Sequence, residues 1–237
     1  MTMAVELPAG DPSEAARRRR DRYGLLLASI FAAFAMQGIA SPGKWQQIVI
    51  TVLLATSLVL AFWAASARPV VMRSVLLVAG LVVVFSVVEA VTGEVAGAGT
   101  RISNLLLVAI APGAIVLGIV RSLRARGRVT VEAVFGVLCL YSLLGMAFAF
   151  LYGSIDRISG PFFAQNVQAT VAKCLYFSFT TLTTVGYGDL TATTNLGHTL
   201  SVTEALLGQI YLVTVVSVLV SNLARPRPGA QGDRREL

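Results

Sequence analysis

The chain has 237 residues, of which 56% are hydrophobic and 13% are charged, against about 25% charged residues in an average soluble domain. This composition excludes an intrinsically disordered chain and disfavours a single water-soluble globule. The net charge of +7 can indicate a nucleic-acid-binding protein. Here, however, the basic residues lie between long apolar runs, so we expect a membrane protein with no nucleic-acid partner.

Six apolar segments reach the length of about 20 residues that a membrane-spanning helix needs. A seventh segment, residues 169–183, is rich in threonine and aromatic residues and is too short to span. It therefore predicts a re-entrant segment. The predicted fold class is all-α, with six transmembrane helices and the re-entrant segment between the fifth and the sixth. The six spans are predicted at residues 23–40, 45–67, 70–91, 102–120, 129–152 and 196–222.

Charge asymmetry predicts the orientation of these spans. With a cytoplasmic N-terminus, all but four of the 19 Lys and Arg residues lie on the cytoplasmic side, as the positive-inside rule requires. Both termini are therefore predicted to be cytoplasmic. Gly38-Ile39-Ala40, which follows a basic segment, also resembles a signal-peptide cleavage site, which leaves cleavage as an alternative. The four basic residues predicted outside are Lys44, Arg101, Arg157 and Lys173.

The re-entrant segment leads directly into Thr184-Val185-Gly186-Tyr187-Gly188-Asp189, hereafter the TVGYGD segment. Over residues 129–222 the chain resembles the potassium channel family, whose selectivity filter has this sequence. Six specified residues in succession are far more specific than a typical short motif. The resemblance divides the chain into a cytoplasmic basic tail (1–22), a four-helix transmembrane domain (23–121), a basic connector (122–128), a pore domain (129–222) and a second cytoplasmic tail (223–237).

In such a filter, backbone carbonyl oxygens replace the hydration shell of K⁺. The resemblance implies that the carbonyls of Thr184, Val185, Gly186 and Tyr187, with the Thr184 hydroxyl, form the ion sites. Successive carbonyls face one axis only if alternate residues adopt unusual dihedrals, and Gly186 and Gly188 permit a positive φ. Four copies are needed to close a ring, so the resemblance implies a homotetramer, with K⁺ as the permeant ion and no cofactor.

Residues around the TVGYGD segment are predicted to support it. Tyr176 and Phe177 stand where related bacterial channels have an aromatic cuff, although Phe177 has no hydroxyl and can only pack. Thr180 stands where some relatives have a carboxyl group behind the filter, so a pairing of that group with Asp189 is lost. Thr181 and Asp189 belong to the same supporting set.

The last span carries the residues expected to control the inner pore. Gly208 occupies the position of the family's gating hinge, with close helix packing as the alternative. Glu204 lies one turn earlier, where an unpaired acid is costly. It is either structural, bonded to threonines of the re-entrant helix and to Lys173, or it tunes inactivation or senses pH. His198 is expected to be solvated. The residues predicted to line the pore are Gln209, Leu212, Val216, Ser217 and Val220.

The fourth span contains no Lys or Arg, so we do not expect classical voltage sensing, which needs several basic residues in this helix. Pro112 and Gly113 suggest a kink instead. A basic cluster at the cytoplasmic end is predicted to contact anionic lipid headgroups. Its members are Arg121, Arg124, Arg126 and Arg128.

The predicted function is a potassium-selective channel that conducts K⁺ passively across the inner membrane of a bacterium. The alternative is a non-conducting or regulatory channel-like subunit. An ATP-coupled transporter is not expected, because the sequence has no phosphate-binding loop. An enzyme is not expected either, because no combination of nucleophile, base and orienting group is evident.

Overall fold

The computed structural model describes residues 12–39, 44–65, 67–92, 98–126 and 131–223. This part of the chain is all-helical, with seven α-helices and no strand beyond an isolated bridge between Phe163 and Ala192. The helices are α1 (Pro12–Ile39), α2 (Lys44–Ala64), α3 (Pro69–Thr92), α4 (Ala98–Arg126), α5 (Val131–Ser159), α6 (Val171–Leu182) and α7 (Asn195–Leu223).

Within the described residues, three helices are long and apolar enough to cross a membrane, and α4 contains a shorter apolar stretch. These helices support a helical membrane protein. Among the described residues, the first, fourth and sixth predicted spans, which lie in α1, α4 and α7, are not among these three helices, so the six-span topology stays a prediction. The three candidate spans are Trp45–Ala64, Pro69–Thr92 and Val134–Ser159.

Three helices extend further than the apolar segments predicted. Helix α5 ends at Ser159 rather than residue 152, α1 begins at Pro12 inside the predicted tail, and α4 reaches Arg126 inside the predicted connector. In α1 and α4 the added residues are mostly good helix formers such as Ala, Arg and Leu, so helicity continues there where apolarity stops. Helix α4 also continues through Pro112. Residues 40 and 224–237, where the predicted cleavage point and most of the second tail fall, lie outside the described residues.

Helix α2 is the centre of the first four helices, because it contacts α1, α3 and α4. Leu26 of α1, Leu54 and Leu58 of α2, and Leu107 of α4 are almost fully buried between these helices. Helix α3 instead exposes many large apolar side chains. An exposed apolar helix face is expected where lipid is the neighbour.

Neutral polar side chains join three of these helices inside the bundle. The Thr51 hydroxyl of α2 donates to Asn104 Oδ1 of α4 at 3.1 Å, and Ser86 of α3 donates to Thr51 Oγ1 at 3.3 Å. All three residues are buried. Hydrogen bonding offsets the cost of burying these groups, so the bundle is held together here without basic residues.

Helix α6 lies against both α5 and α1. The rings of Phe34 in α1 and Phe179 in α6 meet edge to face, with centroids 4.9 Å apart. On the other side, a Cβ added to Gly145 of α5 would lie 2.8 Å from the Phe179 ring. The missing side chain at position 145 therefore lets α6 approach α5, and α1 holds α6 in that place.

Replacement of Phe34 by alanine tests the contact between α1 and α6. Because lipid chains can replace part of an apolar contact, we expect Phe34→Ala to lower the free energy of unfolding by about 1 kcal/mol, the contribution of an aromatic pair. Phe31→Ala is the matched control, since Phe31 lies on the same helix and is 54% exposed. Thermal unfolding of the purified protein in detergent measures both variants. Equal unfolding temperatures for Phe34→Ala and Phe31→Ala would show that the contact between α1 and α6 does not stabilise the protein.

Candidate functional site

The short helix α6 ends where the TVGYGD segment begins. At its start, the Thr170 side chain accepts a hydrogen bond from the backbone N–H of Lys173 at 3.3 Å, which is a typical N-terminal cap. At its end, the N–H of Thr183 bonds to the Phe179 carbonyl at 3.0 Å. The C-terminal end of α6, which carries a partial negative charge, thus lies directly beside the TVGYGD segment.

The backbone of the TVGYGD segment alternates between positive and negative φ. Gly186 has a φ of 53° and Gly188 a φ of 80°, so the predicted positive φ at both glycines is confirmed. Thr184 also has a positive φ, 59°, which the sequence did not predict. This angle is rare for a β-branched residue, and such strain concentrates at functional sites.

Hydrogen bonds tie the N–H groups at the start of this segment to the end of α6. The Thr180 carbonyl accepts from the N–H of Val185 at 2.8 Å and of Gly186 at 3.1 Å, and the Thr181 carbonyl accepts from the N–H of Thr184 at 2.9 Å. Within the part of the chain that the structure describes, no hydrogen bond reaches the carbonyl oxygens of residues 184–188. These oxygens are therefore free to bind another partner.

Thr180 supports the segment through its backbone rather than its side chain. Its hydroxyl donates to the Phe177 carbonyl within α6 at 3.0 Å. The sequence drew attention to this position because of the missing carboxyl group. The two hydrogen bonds to its carbonyl could not be found in the sequence, since any residue has a carbonyl.

The predicted aromatic cuff divides into two different contacts. The Tyr176 hydroxyl donates to Asp189 Oδ1 at 3.1 Å, and its ring is stacked parallel to that of Tyr187 with centroids 6.1 Å apart. A tyrosine hydroxyl is protonated at neutral pH and can therefore act as this donor. Phe177 instead is buried against other rings, with centroid distances of 5.3–5.9 Å. Those rings belong to Tyr152, Phe162 and Phe163.

Gly208 of α7 lies against the end of α6. A Cβ at position 208 would come into contact with the Leu182 carbonyl oxygen and would lie 2.9 Å from Leu182 Cδ1. The sequence left a hinge and close packing as alternatives for this glycine. The geometry favours close packing, because the residue that ends α6 occupies the space of a side chain.

The predicted pore-lining residues include one that reaches the TVGYGD segment. The Gln209 amide Nε2 donates to Thr184 Oγ1 at 3.0 Å. Leu212 and Ser217 are exposed on α7, and Ser217 donates to the Val213 carbonyl of its own helix. The side chains of Val216 and Val220, like those of the basic cluster at residues 121–128, lie outside the described residues.

Glu204 is fully buried where α5, α6 and α7 meet. Its partners are the hydroxyl of Ser178 in α6 and that of Tyr152 in α5, the latter at 2.6 Å. The predicted bond to α6 is therefore found, but the expectation of threonines and Lys173 as partners is wrong. The lone acid in an apolar helix was the only signal for this site, because the helix register that selects Ser178 cannot be deduced from one sequence. His198 is exposed, and its Nε2 lies 2.8 Å from the Ala192 carbonyl oxygen.

Residues 136–225 match a protein family described as "Ion channel". This stretch contains most of α5 together with α6, the TVGYGD segment and α7. It supports an ion channel of the pore-loop type. The match and the apolar helices together support a membrane protein and disfavour an enzyme. No characterised protein and no solved structure matches the chain.

Gly208→Ala separates close packing from a hinge in this channel. The added Cβ must displace Leu182, so we expect the free energy of unfolding to fall by about 1–3 kcal/mol, as for overpacking elsewhere. Gly80→Ala is the control, because a Cβ at position 80 meets nothing within 4 Å and alanine favours a helix by about 0.5–1 kcal/mol. Thermal unfolding measures both. An unchanged midpoint for Gly208→Ala, with altered channel opening, would support the hinge instead.

Proposed function

We propose that this protein is a potassium-selective channel, which conducts K⁺ passively across the plasma membrane of a bacterium as a homotetramer. The observation that carries the proposal is the row of carbonyl oxygens at residues 184–188. These oxygens have no hydrogen-bond donor within the described part of the chain, and their backbone alternates in φ at Thr184, Gly186 and Gly188.

A cation is the partner that such oxygens require. A bare K⁺ in a low-dielectric pore needs oxygens to replace its hydration shell, and stacked carbonyl groups supply them. In an assembly that excludes water from these residues, carbonyl groups without a partner are costly, so a bound ion and the backbone would stabilise each other. The C-terminal end of α6 adds its partial negative charge on the inner side of this row. Both the carbonyl oxygens and this partial charge favour a cation over an anion.

The exposed surface of a single chain supports assembly into a ring. Val185 is 53% exposed and Tyr187 is 70% exposed, although both belong to a segment that must be rigid to select between ions. On α7, Leu206, Ile210 and Val213 are also exposed. Neighbouring subunits that cover these side chains would complete the site, and fourfold symmetry would surround an axis with four sets of carbonyl oxygens.

The remaining topology belongs to the same proposal. Six spans with both termini in the cytoplasm place the basic cluster at residues 121–128 at the inner leaflet, where anionic headgroups attract basic side chains. The part of α4 with described side chains, residues 102–117, contains no Lys or Arg, so opening is not driven by classical voltage sensing.

Ion flux into proteoliposomes tests conduction and selectivity together. We expect K⁺ to enter much faster than Na⁺ and Ba²⁺ to block the flux. Gly186→Ala should lower K⁺ flux by about tenfold or more, because a left-handed alanine costs about 1–2 kcal/mol in each subunit. Gly160→Ala is the matched control: Gly160 also has a positive φ, 98°, but lies in the loop after α5. The Gly160→Ala variant should retain K⁺ flux and K⁺ selectivity.

Each result of the flux measurement has a defined meaning. Equal Na⁺ and K⁺ flux would contradict potassium selectivity. A stable tetramer without flux under any gradient would support the non-conducting subunit. Loss of flux in both glycine variants would show that backbone strain alone, rather than the carbonyl row, abolishes activity.

Gln209→Leu tests the innermost ion site. The amide of Gln209 holds the Thr184 hydroxyl, and a hydroxyl released from that bond can rotate away from the ion. Because Ba²⁺ resembles K⁺ in size but has twice the charge, we expect Ba²⁺ block to weaken by about tenfold, as for the loss of a hydrogen bond to a charged site. In a Thr184→Val background, Gln209→Leu should have no further effect. Additive effects would mean that the two side chains act separately.

A further inference from the structure

Two close oxygen contacts surround the buried carboxyl group of Glu204, and a third continues from one of its partners. Tyr152 Oη lies 2.6 Å from Glu204 Oε2. Ser178 Oγ contacts Glu204 Oε1 and also lies 2.6 Å from the carbonyl oxygen of Gly145. The contacts therefore form one continuous series of hydrogen bonds, from Tyr152 through Glu204 and Ser178 to Gly145.

A count of protons shows which protonation state these three hydrogen bonds need. Each of the three contacts requires one hydrogen between its oxygens. The hydroxyls of Tyr152 and Ser178 supply one hydrogen each, and the Gly145 carbonyl can only accept. With an ionised carboxylate, Ser178 would face two acceptors with one proton, and one close contact would join two bare lone pairs. The third proton can come only from the carboxyl group itself.

We infer that Glu204 is a neutral carboxylic acid that positions α6 between α5 and α7. Its Oε1–H donates to Ser178, the Ser178 hydroxyl donates to the Gly145 carbonyl, and the Tyr152 hydroxyl donates to Oε2. Every oxygen in this series then has a hydrogen-bond partner. No water or metal is needed to complete it.

The surroundings of Glu204 agree with a neutral group. Its two hydrogen-bond partners are neutral hydroxyls, and the residue is 0% exposed. The basic side chains on the described parts of these helices are Arg157 on α5, Lys173 on α6 and His198 on α7, and none of them is a partner of Glu204. The titratable groups nearest to it are Tyr152 and Tyr141 on α5. Neither is a cation. A buried carboxylate without a cation is strongly disfavoured in a protein interior, and a neutral acid avoids that cost.

The position of Ser178 connects this series of hydrogen bonds to the TVGYGD segment. Ser178 lies two residues before Thr180, whose carbonyl accepts the N–H groups of Val185 and Gly186. By holding Ser178, Glu204 sets the position of α6 and hence of the carbonyl that anchors the segment. It does not touch the ion path, so it is a positioning residue, and its effect on flux rests on the proposed channel function.

Glu204→Gln and Glu204→Ala distinguish a neutral acid from a carboxylate. An amide has the same pattern as a protonated carboxyl group, because its oxygen can accept from Tyr152 while its nitrogen donates to Ser178. We therefore expect Glu204→Gln to retain K⁺ flux within about twofold, whereas Glu204→Ala leaves both hydroxyls without partners and lowers flux by about tenfold. Ser178→Ala should resemble Glu204→Ala. It also provides the test if Glu204→Ala does not fold.

Infrared spectroscopy supplies a readout that is independent of conduction. The difference spectrum between the unchanged protein and Glu204→Gln at neutral pH should contain the C=O stretching band of a protonated carboxyl group, shifted in heavy water. A carboxylate band in its place, or a Glu204→Gln variant as damaged as Glu204→Ala, would overturn the inference. If the protonated band is present but the protein conducts no K⁺, the neutral acid stands and the proposed function fails.

Discussion

The free carbonyl oxygens at residues 184–188 are the constraint on which the rest of this pore depends. Residues 184–188 are exposed in a single chain. In the proposed assembly, where water is excluded, carbonyls without donors are costly, and the segment is stable there only when other bonds hold its shape and a cation takes the place of the missing donors. The N–H groups at the start of the same segment are bonded to the Thr180 and Thr181 carbonyls. One set of backbone groups is therefore anchored, while the other set remains available to an ion.

Side chains from α7 and α6 hold the two ends of the TVGYGD segment. Gln209 of α7 bonds to the Thr184 hydroxyl at one end, and Tyr176 of α6 bonds to Asp189 at the other. Between them, α6 itself is held by the contact of Gly208 with Leu182 and by the chain of hydrogen bonds through Glu204. Few of these bonds involve a full charge. Neutral hydrogen bonds are short-ranged and directional, so they define a geometry without adding a field that would trap a cation.

The sequence was sufficient for the motif and for the local backbone, and insufficient for the contacts between helices. Gly186 and Gly188 indicated positive φ because glycine alone adopts it freely. The positive φ of Thr184 gave no such signal, since the residue type argues against it. Ser178 and Gly145 matter only because the register of three helices brings them to Glu204 and Phe179, and one sequence does not contain that register. The helix ends at Ser159 and Arg126 were not predicted, because the predicted ends followed the apolar runs and both helices continue beyond them.

The described parts of the first four helices differ from a voltage sensor in their charge and in their contacts with α6. The described side chains of α4, residues 102–117, include no basic residue that could move in the membrane field, and the buried polar groups at Thr51, Ser86 and Asn104 bond to one another. Helix α1, however, reaches past the bundle and packs Phe34 on Phe179, one residue before Thr180. A displacement of α1 would therefore change the packing around the helix that carries the Thr180 anchor. Within the described side chains, the contact between α1 and α6 is a packing of aromatic rings.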